Sequence, residues 1–244
     1  MLDLLTVNLW ALPWPFAPEH AERQRRFADY LTKAAYHIVG IQELWWPWHR
    51  ALRLDSIVFG RDRRDTGLAL AAKLAIGGTT SVRHFGCHAG FDRLKRKGLL
   101  SARVLLERGV ELAVHVTHLQ AGTDRSALRA RQVEEILGHV AGDDAPAILM
   151  GDFNFHEEDA EDRRSSERLR AVGFADAAGP GARPTYSSSN RYARRRACDQ
   201  RFDRVFLRDG AGVRLASLGT DVVDGVAPPF SDHYPLHVRV GVEG

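Results

Sequence analysis

The 244-residue chain is 44% hydrophobic and 27% charged, which is enough apolar matter to bury a sizeable core within one large layered domain. Its 34 Lys and Arg against 31 Asp and Glu give a formal net charge of +3, a balance that suits an anionic substrate without requiring one. No apolar run approaches the roughly 18 residues needed to span a bilayer, and two cysteines, Cys87 and Cys198, exclude a disulfide framework.

Met1 runs straight into a strand-like segment without the basic, apolar and small-residue parts of a secretory leader, so a soluble, cytoplasmic protein is expected. Leu2 to Trp10 reads as a buried strand. Glu19 to Ala34 reads as a helix, because Phe27, Tyr30, Leu31 and Ala34 recur at helical offsets. His37 to Leu44 is a second apolar strand. Leu68 to Leu74, Thr79 to Phe85, Leu99 to Glu107 and Val110 to Leu119 are strand-like and separated by glycine-containing turns, which predicts a β-meander. Ser126 to Val140 returns to helical spacing through Val133, Ile136, Leu137 and Val140. The apolar strand Ala147 to Met150 follows, then a polar helix from Glu157 to Val172. Late strands are expected at Arg201 to Leu207, Val213 to Leu218 and Tyr234 to Val240, after a loop rich in Gly, Pro, Ser and Arg from Gly179 to Arg196. Interleaved helices, isolated strands and hairpins predict a single α/β domain over residues 1–244, with two mixed sheets face to face and helices outside.

Met150-Gly-Asp-Phe-Asn154 ends an apolar strand on two polar side chains two residues apart, and on extended backbone such residues share a face. Asp152 can accept a proton while the Asn154 amide donates, a pairing able to hold a water and a phosphoryl oxygen. Read alone, the same residues would cap a turn. Ser231-Asp232-His233 opens the last strand with a carboxylate beside an imidazole that can exchange a proton near neutral pH; alone, it too reads as a turn. Asp203 interrupts an alternating strand and needs a partner, either a site group or the neighbouring Arg201 or Arg204. Glu43 ends the second strand as a single carboxylate of the kind Mg²⁺ accepts while keeping most of its waters. Asn8 is an amide in an apolar run, bonded within the core or facing a site. His115 and His118 lie on opposite faces of one strand: the first suits a core histidine, and the second, at the strand end, suits catalysis.

Asn8, Glu43, His118, Asp152, Asn154, Asp203, Asp232 and His233 all lie in expected strands or at their ends. Their succession resembles the endonuclease/exonuclease/phosphatase superfamily over essentially the whole chain, with GDFN and SDH as its most specific pieces. Within that superfamily, VNLWALPWPFAPEHAERQRRFADYL, the IQELW after it, THLQA at residues 117–121 and the helix Leu128 to Val140 resemble neutral sphingomyelinases. The resemblance implies a four-layer α/β sandwich of two mixed, mostly antiparallel sheets. It implies Mg²⁺, with Mn²⁺ as the alternative, on Glu43 with help from Asn8, and Asp232 as a further ligand or support. It also implies His233 as general base oriented by Asp203, Asp152 and Asn154 holding phosphate and nucleophile, and His118 near the leaving group. The chain departs from the pattern at TGLALAAK (residues 66–73), which lacks a serine before its lysine, and at Arg204, where an aromatic is common. The C-terminal part, with Thr185, Tyr186, Asn190 and RFDRVFLR, is also similar to tyrosyl-DNA phosphodiesterases of the same superfamily.

Substrate clues divide between lipid and nucleic acid. Trp45, Trp46 and Trp48, with Trp10 and Trp14, would place large aromatics near one rim, where they insert among lipid headgroups, stack on bases, or pack beneath a loop. Arg191, Arg194, Arg195 and Arg196 form one basic cluster and Arg93, Lys95, Arg96 and Lys97 another, each able to grip phosphate or to lie solvated. The acidic run Glu157 to Asp162 opposes a uniformly basic duplex-binding face. The expected substrate is therefore a phosphodiester, a phospholipid headgroup in preference to nucleic acid, with Arg194, Arg195, Trp45 and Trp46 as substrate contacts and peripheral contact with a membrane.

Overall fold

Side chains alternate along an extended chain, and the first strand, β1 (Leu2–Asn8), uses both faces: Leu2 and Leu4 enter one apolar core, Leu5 and Val7 another. A strand apolar on both sides must be covered on both, and the chain responds by building layers. The structure, a computed structural model, describes residues 1–12, 14–45, 56–62, 64–106, 109–179, 181–194 and 198–244.

Helix α1 (His20–Lys33) covers the outer face of β1 with Phe27 and Leu31 and returns the chain to β2 (Ile38–Gln42), parallel to β1. Strands β3 (Ile57–Arg61) and β4 (Asp65–Ala72) pair as a hairpin, and β4 adds antiparallel to β2. The second sheet starts with β5 (Ile76–His84), β6 (Gly98–Leu105) and β7 (Glu111–His118). Helix α2 (Ser126–Val140) crosses over to β8 (Ala147–Asp152), parallel to β7. Helix α3 (Ala160–Ala171), the two-residue β9 (Ala175–Asp176) and β10 (Asp203–Arg208) complete that sheet; β11 (Arg214–Val222) and β12 (Leu236–Glu243) return to the first. The strand orders are β11-β12-β1-β2-β4-β3 and β5-β6-β7-β8-β10-β9, antiparallel apart from the β1–β2 and β7–β8 pairs. This is the expected four-layer sandwich of mixed, mostly antiparallel sheets. No helix among the described residues is long and apolar enough to cross a membrane.

The inner layer places the site. Leu2 and Leu4 of β1, Val114 and Val116 of β7, Ile148 and Met150 of β8, and Val205 and Leu207 of β10 meet between the sheets. Gly40 in β2 permits the close approach, since a Cβ there would lie 2.6 Å from Met150 Sδ. Continuing each inner row along its strand reaches Asn8, His118, Asp152 and Asp203, all buried. The rows are apolar through the sandwich and turn polar together at one end.

The predicted meander is split. Thr79 to Phe85 and the two strands after it do pair consecutively as β5, β6 and β7, but the first of the four belongs to the other sheet as β4, against β2 and β3. A four-strand alternating pattern cannot register which sheet each strand joins. Strands β3, which carries a bulge between Phe59 and Arg61, and β9 were too short and irregular to be read from periodicity. Helix α3 starts at Ala160, because the Asp159 side chain accepts from the backbone N–H groups of Glu161 (2.8 Å) and Asp162 (3.1 Å).

Candidate active site

The register of the second sheet sets His118 opposite Asp152 and Asp152 opposite Asp203. Gly151 makes this possible: its φ is +146°, and a Cβ would fall 1.9 Å from the Thr117 carbonyl oxygen across the ladder. Asn8 and Glu43 arrive from the first sheet, as do Asp232 and His233 just before β12. All of these but Asp203, which is buried and bonded to His233, line one cleft of about 880 Å³ with Asn154, Trp10, Phe91, Gln120, Tyr186 and Phe202. Three residues here hold left-handed backbone, Trp10 (φ 44°), Glu43 (φ 55°) and Asn154 (φ 50°). Such strain in non-glycine residues persists only where surrounding contacts enforce it.

Two hydrogen bonds join the sheets at the cleft floor. Asn8 Nδ2 donates to Asp152 Oδ2 at 3.0 Å and to Glu43 Oε1 at 3.2 Å, and its Oδ1 accepts from the Trp10 N–H at 2.9 Å, which fixes the amide's orientation. His233 Nδ1 lies 2.8 Å from Asp203 Oδ2, so the imidazole donates there and turns Nε2 towards Asp152, whose Oδ2 is 3.9 Å away. The ring sits against Tyr186 and Phe202, with centroids at 5.1 and 6.0 Å. Thr185 ties the pair down: its hydroxyl accepts from Asp203 N–H and its carbonyl from Tyr234 N–H. The Asn154 N–H donates to Asp152 Oδ1 at 2.9 Å. One N–H of the Asn154 amide donates to the Leu119 carbonyl, leaving the other for a ligand.

The charges follow from these contacts. Burial opposes ionisation of Asp152, but His118 and His233 overcome it and hold the carboxyl well below its usual range. Burial would lower His233; Asp203 and Asp152, and the hydrogen bond the imidazole donates to Asp203, raise it well above the ordinary histidine value of 6.5. Burial pushes Asp232 up to about 6, with His233 pulling it back and the Glu43 carboxylate adding to the rise.

A divalent cation fits this donor set. Asp152, Asp203 and His233 offer three atoms within 4.8 Å of one another, but the imidazole there is already engaged by Asp203. Glu43 and Asp232 suit a hard cation better. They repel each other, and among the described residues Glu43 receives only the Asn8 amide and Asp232 only the Ser231 hydroxyl.

The eight residues expected from the sequence to act together do converge. Arg194 is exposed on the cleft rim, whereas Arg195 and Trp46 lie outside the described residues. Trp45 does not line the cleft. Its indole is buried over Gly67, with Lys95 Nζ 4.5 Å from the ring centroid, so it packs beneath a loop. Lys97, placed by the sequence in a basic cluster able to grip phosphate or to lie solvated, is buried instead; its ammonium lies 2.8 Å from His118 Nε2, donates to the Leu119 carbonyl and pairs with Asp92. The acidic run is also structural. Glu157 pairs with Arg201 and Arg204, and Asp162 with Arg129, so part of the run is spent inside the fold, while Glu157 and Glu158 stay exposed. Arg23 carried no signal in the sequence, sitting in a run of charged residues. It is buried and donates to the carbonyls of Leu9, Trp10, Pro18 and Phe230, bracing the β1 exit against the loop that carries Asp232 and His233. Both cysteines are free, and Cys198 lies on the cleft wall.

A family model described as Endonuclease/Exonuclease/phosphatase family matches residues 5–233. A Caenorhabditis elegans protein described as "Putative neutral sphingomyelinase" is 22% identical, the match spanning 99% of this chain and 67% of that protein. Among solved structures, sphingomyelinase C from Streptomyces griseocarneus superposes with a TM-score of 0.73 at 22% identity over 97% of this chain and 98% of the other. D. rerio TDP2 complexed with a single-strand DNA product gives 0.81 at 21% identity over 98% of each. Magnesium-bound beta toxin from Staphylococcus aureus gives 0.80 at 20% identity over 97% and 98%.

Proposed function

The chain belongs to the Endonuclease/Exonuclease/phosphatase family and is a phosphoric ester hydrolase, and we propose that it cleaves a phosphodiester in a phospholipid headgroup such as sphingomyelin by in-line attack of water. The observation that carries this reading is the convergence in one cleft of His233, held by the buried Asp203, with Asp152, Asn154 and the Asn8–Glu43 bridge.

His233 Nε2 takes the proton of the attacking water, and Asp203 stabilises the imidazolium that results. Asp152 and the free N–H of Asn154 align the water and a phosphoryl oxygen. His118, backed by the Lys97 ammonium, is placed to meet the leaving oxygen. Glu43, with Asp232 and Asn8, would hold Mg²⁺ or Mn²⁺, which supplies positive charge against the negative charge that builds on phosphorus.

The lipid reading draws on an exposed apolar rim and on similarity, over 99% of this chain and 67% of the relative, to a protein described as "Putative neutral sphingomyelinase". The acidic run weighs less against nucleic acid than its sequence suggests, because Glu157, Glu161 and Asp162 are ion-paired and Asp159 caps α3. The test is EDTA-sensitive turnover of sphingomyelin vesicles beside a 5′-tyrosyl DNA oligonucleotide, with His233→Ala as the contamination control. Phosphocholine release alone supports the lipid reading. Cleavage of the DNA adduct alone moves the substrate to nucleic acid.

A further inference from the structure

Four large apolar side chains left in water lie on two segments that meet beside the cleft. Trp14 is 84% exposed, Leu94 78%, Phe16 56% and Phe91 51%. They come from two separate segments, the β1–α1 connection and the 3-10 turn Gly90–Arg93 with the residue after it, yet they meet: the Phe16 and Phe91 rings are 6.0 Å apart. Phe91 also lines the catalytic cleft, so the patch and the cleft mouth are continuous. An exposed apolar cluster on an otherwise charged surface marks an interaction site.

A second cavity of about 490 Å³ adjoins it, lined by Arg64, Arg93, Leu94, Lys95 and Arg96 over the buried Trp45. Its one acid among the described residues, Asp65, accepts from the Gly67 N–H at 2.8 Å, and the neighbouring Asp92 is paired with Lys97 at 3.1 Å. Basic side chains around an apolar floor, next to protruding aromatics, complement a surface that is anionic at the headgroups and apolar beneath.

We propose that this face docks on a bilayer containing anionic phospholipid, with Trp14, Phe16, Phe91 and Leu94 inserting and Arg64, Arg93, Lys95 and Arg96 meeting lipid phosphates. Docked this way, the protein opens its cleft onto the membrane, so the proposal rests on the lipid reading of the catalytic site and names the surface that serves it. The cations lining the adjoining cavity favour an anionic lipid surface over a protein partner.

The experiment is sedimentation of the protein with phosphatidylcholine vesicles, with and without phosphatidylserine and free of sphingomyelin. Wild type is compared with Trp14→Ser/Leu94→Ser and Arg93→Glu/Arg96→Glu. Wild type should sediment with the anionic vesicles. Each double variant should lose about tenfold or more of that binding, since each basic residue near an anionic surface is worth roughly fivefold. All three proteins should turn over a water-soluble nitrophenyl phosphodiester equally. Wild type that ignores both vesicle types, or variants that bind as well as wild type, would overturn the proposal. Because binding is read without substrate, docking in the absence of sphingomyelin hydrolysis would sink the substrate reading alone. Hydrolysis of detergent-dispersed sphingomyelin without vesicle binding would sink the docking surface alone.

Discussion

Asp203→Asn keeps the size of the side chain and one hydrogen bond to His233 Nδ1 but removes the negative charge. The Oδ2–Nδ1 contact is 2.8 Å and both residues are buried. The charge centres are then on the order of 4 Å apart, and at an effective dielectric of about 20 their attraction is about 4 kcal/mol. That attraction is felt in full only once the imidazole has taken the proton of the attacking water, so its loss translates into roughly a thousandfold in kcat. The pH profile should move as well. A base acts only when neutral, so activity rises with pH through the pKa of His233, which the carboxylates hold above its ordinary value. Without Asp203 that pKa falls, and the acid limb should shift to lower pH even as the plateau drops. The assay is turnover of a water-soluble phosphodiester by purified protein across the neutral range. A plateau within about tenfold of wild type, or an acid limb that moves upward, would refute the assignment.

Asp152→Ala and His233→Ala should each cut turnover at least about a hundredfold while the thermal transition stays cooperative; near-normal rates in either would remove these residues from the chemistry. Glu43→Gln should raise the Mg²⁺ needed for half-maximal activity by about tenfold or more, measured by titrating metal into EDTA-treated enzyme, and an unchanged requirement would place the cation elsewhere. Arg23→Ala abandons the carbonyls of Leu9, Trp10, Pro18 and Phe230. At about 3–5 kcal/mol for that buried charged network, and roughly 2–4 °C per kcal/mol in a domain of this size, Tm should fall by on the order of 10 °C. A shift under about 2 °C by scanning fluorimetry would show the brace to be dispensable.

The site was legible because period-two alternation fixes which residues share a face. Asp152 announced itself as a polar residue at the end of an apolar row, as did Asn8 in β1; Asn154, expected on the same extended backbone, instead follows the strand's end in left-handed backbone. Pairing across the sheets left no such mark. Nothing local in the sequence says that Asp203 meets His233 rather than Arg201 or Arg204; tertiary structure gives the two arginines to Asp176 and Glu157 and leaves Asp203 to the imidazole. Lys97 misled for the opposite reason. It sits in a run of cations, and only the strand that begins at Gly98 carries it inward beside His118. Trp45 likewise showed its size but not its direction, and Gly67 across the hairpin decided that.

Asn8 lies in one sheet and His233 just before that sheet's β12, whereas Asp152 and Asp203 belong to the other, so the two sheets act as the jaws of a calliper and the inner core is the gauge block between them. The thickness of that block is set in part by Met150 lying on Gly40, where no Cβ fits. Packing volume deep in the sandwich is thus a catalytic variable. A methyl group added at residue 40 makes no contact with any reacting group, yet it would register at the cleft as a longer Asn8–Asp152 bond and a His233 drawn away from Asp203.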